Sequence, residues 1–199
     1  MAVEIFTQLT ATGDQLKQQY ELRKRFCIDH LGWDDRTILD GMEYDEFDHP
    51  GAVYFMWRDE AKTARAMFRA TQCNQPYMIQ KVWPHLVADR ELPNRFDQWE
   101  LTRVCVERCI GGEGIKQSIG EIMLALEIFA AKIGIKEYWW LSPKHRIETL
   151  IPHNHEYAGP GEQIGDEFCF AGWCDPSQML KPEHRKAIQA QAPEIQVAA

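Results

Sequence analysis

Four carboxylates, Glu43, Asp45, Glu46 and Asp48, lie just before an apolar run that begins at Ala52. Only a short turn at 49–51 separates them from this run, which is predicted to be a buried strand. Acidic clusters usually lie in solvated loops, where they need no partners. Carboxylates at the mouth of a buried strand require cationic partners, either protein side chains or a ligand. Both alternatives are open from the residues alone.

A second charged pair lies in the segment Gln98–Val106 (QWELTRVCV), which is rich in β-forming residues and predicted as a central strand. Buried Glu100 and Arg103 need partners there, and pairing with each other or with the acidic segment is the simpler interpretation. Residues three apart on a regular strand face opposite sides. Both side chains reach one cleft only across a β-bulge, which we predict near Leu101 or Thr102.

Arg69 places a guanidinium inside the apolar stretch AMFRATQ. It is predicted either to pair with Asp45 or Asp48, or to hold a substrate carboxylate, which a planar guanidinium binds well. Taken alone, Arg23 would be an exposed helix charge and Trp33 a core residue. Taken together, these cationic, anionic and aromatic side chains suit a zwitterionic ligand that carries a further positive centre.

The composition restricts the possible functions. A chain of 199 residues with 45% hydrophobic and 26% charged residues is predicted to form one globular domain, over 1–190, with a loose tail at 191–199. The net charge of −8 argues against nucleic-acid binding. No apolar run is long enough to span a membrane, and the N-terminus lacks a signal-peptide pattern. The six cysteines lack metal or disulfide spacing, which predicts reduced thiols, a cytoplasmic protein and no metal or cofactor.

The order of the predicted elements favours an α/β fold. Apolar periodicity predicts a helix at 13–31, a hairpin of strands at 52–57 and 63–70, a short helix or lid at 75–87, and a long helix at 115–133. Strands at EYWWLS and DEFCFAGWC and helices at 145–151 and 182–190 follow. This order predicts a mixed central sheet with helices on both faces and a cleft at one edge.

Four blocks give the sequence a specific resemblance to a known family. LRKRFCIDHLGWD, DGMEYDEFD, Arg69 with QPYMI behind it, and WELTR occur in the order and spacing of the acyl-homoserine-lactone synthases, the autoinducer synthases of quorum sensing. The resemblance covers about residues 20–105. It implies a three-layer α/β/α sandwich with a V-shaped cleft, similar to N-acetyltransferases. It also implies acylation of the amine of S-adenosylmethionine by an acyl thioester, followed by lactonisation and release of methylthioadenosine.

The resemblance also implies which residues bind and act. The family's functional positions fall on seven residues: Arg23, Trp33, Asp45, Asp48, Arg69, Glu100 and Arg103. The sequence departs at one position, because the family phenylalanine four residues after the first arginine is replaced by Cys27, while Phe26 lies one step earlier. Phe26 is therefore a candidate for the same pocket.

The implied chemistry assigns further roles. An ammonium must lose a proton before its nitrogen can attack, and Glu100 is the candidate base, with its pKa raised by burial. Asp45 and Asp48 are expected either to face the positive charges of S-adenosylmethionine or to orient the arginines that hold its carboxylate. Glu43 and Glu46 are expected to be solvated neighbours. Backbone N–H groups at the strand bulge are candidates for stabilising the oxyanion.

Two features bear on the acyl donor. RCIGGEG (108–114) resembles the phosphate loop of N-acetyltransferases, but Glu113 would repel a pyrophosphate, so a plain glycine-rich turn is the alternative. An acidic acyl carrier protein would need a basic patch on this acidic chain. Its candidates are Lys132, Lys136, Lys144, His145 and Arg146. We favour coenzyme A thioesters.

The acyl group is predicted from EYWWLS, the strand that lines the acyl pocket in the family. Adjacent strand residues face opposite sides, so one of Trp139 and Trp140 is predicted to point into the pocket. Both being plain core aromatics is the alternative. An inward indole favours a short, branched or aromatic acyl group over a long chain.

Two other functions compete with this interpretation. A generic acyl-CoA-dependent N-acetyltransferase acting on another amine would need the phosphate loop but neither the acidic cluster nor WELTR. A protein that only binds S-adenosylmethionine or an acyl carrier would leave Glu100 without a role.

Overall fold

The computed structural model describes residues 3–33, 37–151 and 154–191. The predicted tail lies, from residue 192 onward, outside the described residues. Within the described ranges, no helix combines the length and the apolar character that crossing a membrane requires.

The first half of the chain forms a sheet edge, a helix and a long hairpin. Its elements are β1 (Val3–Thr7), α1 (Gly13–Arg23), β2 (Thr37–Leu39), β3 (Met42–Tyr44), β4 (Val53–Arg58), β5 (Ala64–Gln72) and α2 (Met78–Val82). Thr12 and Gln15 form a capping box that starts α1: each side chain accepts a hydrogen bond from the other's backbone N–H. A π-helical segment, Lys24–His30, continues α1 toward the end of the predicted helix.

The second half supplies the remaining strands and the long helix. Its elements are β6 (Gln98–Val106), α3 (Gly111–Ile133), β7 (Glu137–Pro143), α4 (Lys144–Leu150), β8 (His155–Tyr157), β9 (Glu162–Ile164), β10 (Glu167–Cys174) and α5 (Pro182–Gln191). The strand predicted at Gln98–Val106 has those bounds in the structure. The glycine-rich stretch 111–114, for which a phosphate loop and a plain turn are the predicted alternatives, forms the first turn of α3. Gly134 ends this helix in a left-handed conformation.

The main sheet has the strand order β1-β4-β5-β6-β7-β10-β8, with β9 also paired to β10. β6 and β7 pair in parallel, whereas the other pairs are antiparallel. The parallel pairing runs from Gln98–Glu137 to Leu101–Trp140, although both strands continue beyond it. The two strands therefore part toward their C-terminal ends, and this opening is the V-shaped cleft.

Helices cover both faces of this sheet. The apolar face of α3, including Ile122 and Leu126, packs on β1, β4, β5 and β6 and forms the main core. Leu22 of α1 and Cys27 pack on the opposite face, against β4 and β5. A third apolar cluster surrounds Trp139 next to α2. The predicted mixed α/β/α sandwich is confirmed.

Candidate active site

Three arginines and three carboxylates form one buried ionic network at the cleft. Arg23 ends α1, Arg69 lies in β5 and Arg103 lies in β6. Their partners come from β3 and the turn that follows it: Glu43, Asp45 and Asp48. The charges balance, which is what allows so many ionised groups to be buried together. We call these six residues the ionic network.

Glu43 is a member of this network, and its predicted role as a solvated neighbour is wrong. Its side chain is fully buried and pairs with Arg23 and, over 2.9 Å, with Arg103. Strand β3 turns the side chain inward because β3 forms a small hairpin with β2. The local sequence gives no sign of this, since the hairpin lies within an acidic stretch predicted as a loop. Glu46 is exposed, as expected.

Asp45 and Asp48 bind arginines. This favours the expectation that they orient arginines over the expectation that they face the positive charges of a ligand. Arg69 Nη2 lies 2.9 Å from Asp45 Oδ2, and Arg69 Nη1 lies 2.9 Å from Asp48 Oδ1. Arg23 Nη1 lies 2.6 Å from Asp48 Oδ1. Burial by itself would raise the pKa of both carboxyls, but the neighbouring arginines outweigh it and lower both pKa values. Both groups therefore stay ionised at neutral pH.

A β-bulge brings Arg103 into this network. Met67 pairs with Cys105 and Arg69 with Thr102, so β6 carries one residue more than β5 over this stretch. Arg103 has a φ of 50°, in the left-handed region that non-glycine residues rarely adopt. The predicted bulge is present, immediately after Thr102. It places Arg103 on the same side of the sheet as Thr102, which accepts a hydrogen bond from Arg69 Nε over 3.0 Å.

Glu100 lies next to the network and has a different environment. Its side chain is fully buried and accepts hydrogen bonds from the backbone N–H groups of Met78 (2.8 Å) and Ile79 (2.7 Å). Burial raises its pKa to about 7, although both hydrogen bonds act in the opposite direction. The predicted shift is confirmed. A carboxyl with this pKa exchanges a proton near neutral pH, as a general base must.

Two aromatic residues from the predicted set flank the network differently. Trp33 is partly exposed, and the Arg103 guanidinium lies 5.9 Å from its ring centroid. Phe26 lies in the π-helical segment, partly buried beside His30, with ring centroids 5.7 Å apart. Cys27 takes the fully inward position and contacts Cys105, with their sulfurs 3.8 Å apart. The structure therefore places Trp33 beside the network, and Phe26 at the edge of the α1 packing.

Trp139 and Trp140 face opposite sides of the sheet, as predicted. Trp140 packs in the main core beneath α3. Trp139 is fully buried on the other face, in a cluster that includes Tyr77 and Ile79. This is the face of Glu100, because Glu100 and Trp139 are neighbours in the β6–β7 register. The apolar cluster therefore lies next to the carboxyl of Glu100.

The predicted basic patch is divided in the structure. Lys132 and Lys136 lie near the start of β7, whereas Lys144 follows its end. The latter group is also neutralised: Lys144 lies 3.7 Å from Glu148, and Arg146 pairs with Glu167 over 2.8 Å, with His145 beside it. The candidate residues for docking an acidic carrier protein therefore do not form a single patch.

Two further polar residues, which carried no assigned role in the sequence, belong to the candidate site. Tyr54 lies opposite Arg69 in the β4–β5 register, and its hydroxyl donates to Asp48 Oδ1 over 2.9 Å. Thr102, the partner of Arg69, is part of WELTR but carried no assigned role. Strand alternation could have placed both on the network face. In the part of the chain that the structure describes, no cluster of three or more His, Cys, Asp or Glu could hold a metal ion.

Comparison with known proteins agrees with this geometry. A family model described as autoinducer synthase matches residues 7–153. An acyl-homoserine-lactone synthase of Aeromonas salmonicida is 31% identical over 121 residues, covering 59% of this chain and 58% of that protein. An isovaleryl-homoserine lactone synthase of Bradyrhizobium diazoefficiens is 28% identical over 144 residues, or 69% of this chain and 64% of that protein. These matches thus span less than two thirds of either relative.

Solved structures show the same fold. A CoA-dependent acyl-homoserine lactone synthase, BjaI, with SAM and isopentyl-CoA, superposes with a TM-score of 0.82 at 19% identity, covering 98% of this chain and 91% of that one. The acyl-homoserine-lactone synthase LasI superposes with a TM-score of 0.79 at 21% identity, covering 87% of this chain and 89% of that one.

Proposed function

Because the chain belongs to the autoinducer synthase family, we propose that it makes an N-acyl-L-homoserine lactone from S-adenosylmethionine and an acyl thioester. The nitrogen of S-adenosylmethionine attacks the thioester carbonyl, the carbon–sulfur bond breaks, and the thiol leaves. The carboxylate then attacks the carbon next to the sulfonium, the second carbon–sulfur bond breaks, and methylthioadenosine leaves. The protein is thus an acyltransferase that makes a quorum-sensing signal.

The observation that carries this proposal is the ionic network beside Glu100. A zwitterionic substrate with a sulfonium needs cationic and anionic groups held at fixed positions, and the network supplies both. The Arg103 guanidinium lies beside Trp33, whose ring is suited to stack on the adenine. In this scheme Arg69 and Arg103 position the carboxylate of the substrate, and positioning is the main requirement of lactonisation.

Glu100 is the base of the acyl-transfer step. Its raised pKa of about 7 lets it accept the ammonium proton, directly or through one water. The bulge after Thr102 interrupts the regular pairing of β6 with β5. Backbone N–H groups released there are candidates for stabilising the negative charge that develops on the carbonyl oxygen.

Coenzyme A thioesters are the favoured donors, and acyl carrier protein is the alternative. The basic residues are divided between the two ends of β7, and Glu148 and Glu167 pair with part of them, which leaves little surface for an acidic carrier protein. A small or branched acyl group is favoured, since Trp139 occupies the apolar cluster next to Glu100. The Bradyrhizobium relative, named for an isovaleryl product, is in keeping with this.

The six cysteines are free thiols, which supports a reducing compartment such as the cytoplasm.

Incubation with S-adenosylmethionine and a panel of acyl-CoA and acyl-carrier-protein donors tests the proposal. Mass spectrometry should detect methylthioadenosine and an acyl-homoserine lactone in equal amounts. Thiol release with another amine, without methylthioadenosine, would instead identify a generic N-acetyltransferase. Binding of S-adenosylmethionine with no turnover of any donor would identify a binding protein.

A further inference from the structure

Arg90 covers two tryptophans of the apolar cluster around Trp139. Its guanidinium lies 4.9 Å from the ring centroid of Trp139 and 4.5 Å from that of Trp173. The two tryptophans are direct partners in the β7–β10 register, so their side chains lie on the same face of the sheet. A guanidinium over an indole face is attracted by the negative face of the ring. One arginine thus holds both rings.

The carboxylate of Glu137 fixes this arrangement through hydrogen bonds. Glu137 Oε1 accepts a hydrogen bond from Arg90 Nη2 over 3.1 Å. Glu137 Oε2 accepts one from Trp139 Nε1 over 2.9 Å and one from Gln98 Nε2 over 2.7 Å. The Trp139 indole is therefore held at its face by Arg90 and at its nitrogen by Glu137. Rotation of the ring would break this hydrogen bond inside a buried site, which is costly.

The position of Trp139 links this arrangement to acyl selection. Trp139 is the β7 neighbour of Glu100, and adjacent strands lie about 4.8 Å apart. Ile79, whose N–H donates to Glu100, belongs to the same apolar cluster as Trp139. An acyl chain that extends from the reacting carbonyl into this cluster meets the indole within its first few carbons. A longer chain fits only where the indole moves.

We infer that Arg90 is a positioning residue for acyl selection. By fixing the Trp139 indole against Glu137, it closes the apolar cluster to long chains and favours short, branched or aromatic acyl thioesters. This inference rests on the proposed function, because it assigns the acyl chain to the Trp139 side of the cleft. Arg90 touches neither substrate and acts through the Trp139 ring that it holds.

The test compares Arg90→Ala with the wild type, using butyryl-CoA and octanoyl-CoA as donors. The ratio of kcat/KM for octanoyl over butyryl is expected to rise about tenfold, mainly through a lower KM for the octanoyl donor. Arg90→Lys retains a cation over the rings and should restore much of the wild-type preference. Trp173→Leu removes the second stacking surface and should shift the preference in the same direction as Arg90→Ala. Arg95→Ala is the matched control, because Arg95 lies on the same connection but is exposed and pairs with Asp97.

Calorimetric binding of the same two donors, without S-adenosylmethionine, gives a readout that does not depend on turnover. A higher relative affinity of Arg90→Ala for octanoyl-CoA would support the inference even if no lactone forms. Absence of methylthioadenosine with every donor would overturn the proposed function alone. Equal octanoyl-to-butyryl ratios in wild type and Arg90→Ala, by kinetics and by binding, would overturn the role of Arg90. A lower melting temperature with unchanged ratios would show a purely structural role and overturn it as well.

Discussion

Arg103 Nη2 lies 2.9 Å from Glu43 Oε1, and this ion pair joins β6 to β3 across 60 residues of sequence with almost no exposure to solvent. The pair exists because the β6 bulge holds Arg103 at a φ of 50°. A non-glycine residue in this conformation stores strain, which the surrounding contacts must offset. Backbone strain next to a candidate substrate site indicates that the position of this guanidinium matters for function.

Glu43→Gln is expected to lower the free energy of unfolding by about 3–5 kcal/mol, because it leaves Arg23 and Arg103 buried beside a neutral group. Thermal unfolding followed by circular dichroism measures the effect. Glu46→Gln is the matched control, since Glu46 is exposed on the same segment. Equal melting temperatures for the two variants would show that the network contributes little to stability.

Glu100→Gln is expected to lower kcat by about 10²–10⁴ with a modest change in the affinity for S-adenosylmethionine, because a glutamine cannot accept the proton. The amide retains only one of the two oxygens that hold Met78 and Ile79, so the melting temperature must be measured alongside. Glu91→Gln, at an exposed position, controls for the loss of a charge. Near-normal turnover of a well-folded Glu100→Gln enzyme would exclude Glu100 as the base.

The pH dependence of stability provides a separate test of Glu100. Burial raises its pKa from an ordinary value of 4.5 to about 7, so the folded protein binds this proton more tightly than the unfolded chain does. The resulting stabilisation is fully present below pH 4.5 and is lost as the pH rises through 7, and it amounts to on the order of 3 kcal/mol. The wild type should therefore lose stability relative to Glu100→Gln over this range. Unfolding of both proteins at several pH values measures the difference in their free energies of unfolding. A difference that stays constant with pH would contradict the assigned pKa.

Much of the fold could be predicted from sequence, because apolar periodicity reports local elements directly. The strand Gln98–Val106 and the helix that ends at Ile133 follow from such patterns. The edge strand Val3–Thr7 does not follow from such a pattern, since it is short and is defined only by its pairing with β4. The bulge was predictable because Glu100 and Arg103 cannot otherwise share one face.

The partners within the site were harder to predict than the residues themselves. Asp45, Asp48 and Arg69 were all predicted to be functional, but which carboxylate binds which arginine depends on contacts between β3, β5 and the turn at 45–48. Glu43 was missed because a three-residue strand inside an acidic stretch leaves no periodic signal. Charge content identifies a candidate site, whereas the pairing within it is set by tertiary structure.

Trp139→Ala is expected to extend the range of accepted acyl chains, because it removes the indole from the apolar cluster next to Glu100. The kcat/KM for donors of increasing chain length measures the shift. Trp140→Ala is the matched control on the opposite face, where loss of a core side chain should cost about 3–5 kcal/mol of stability and leave the chain-length preference unchanged. A wild-type enzyme that already prefers chains of about ten carbons or more would contradict the pocket assignment.

Glu113→Gln is expected to lower the KM for acyl-CoA donors about threefold at low salt. Glu113 is exposed in the first turn of α3, where free N–H groups and the helix dipole would attract a pyrophosphate and the carboxylate repels it. Glu183→Gln changes an equivalent charge in the first turn of α5 and should have no effect. Acyl-pantetheine donors lack the pyrophosphate, so the Glu113→Gln effect should disappear with them. An equal effect on both kinds of donor would show that this turn does not bind the pyrophosphate.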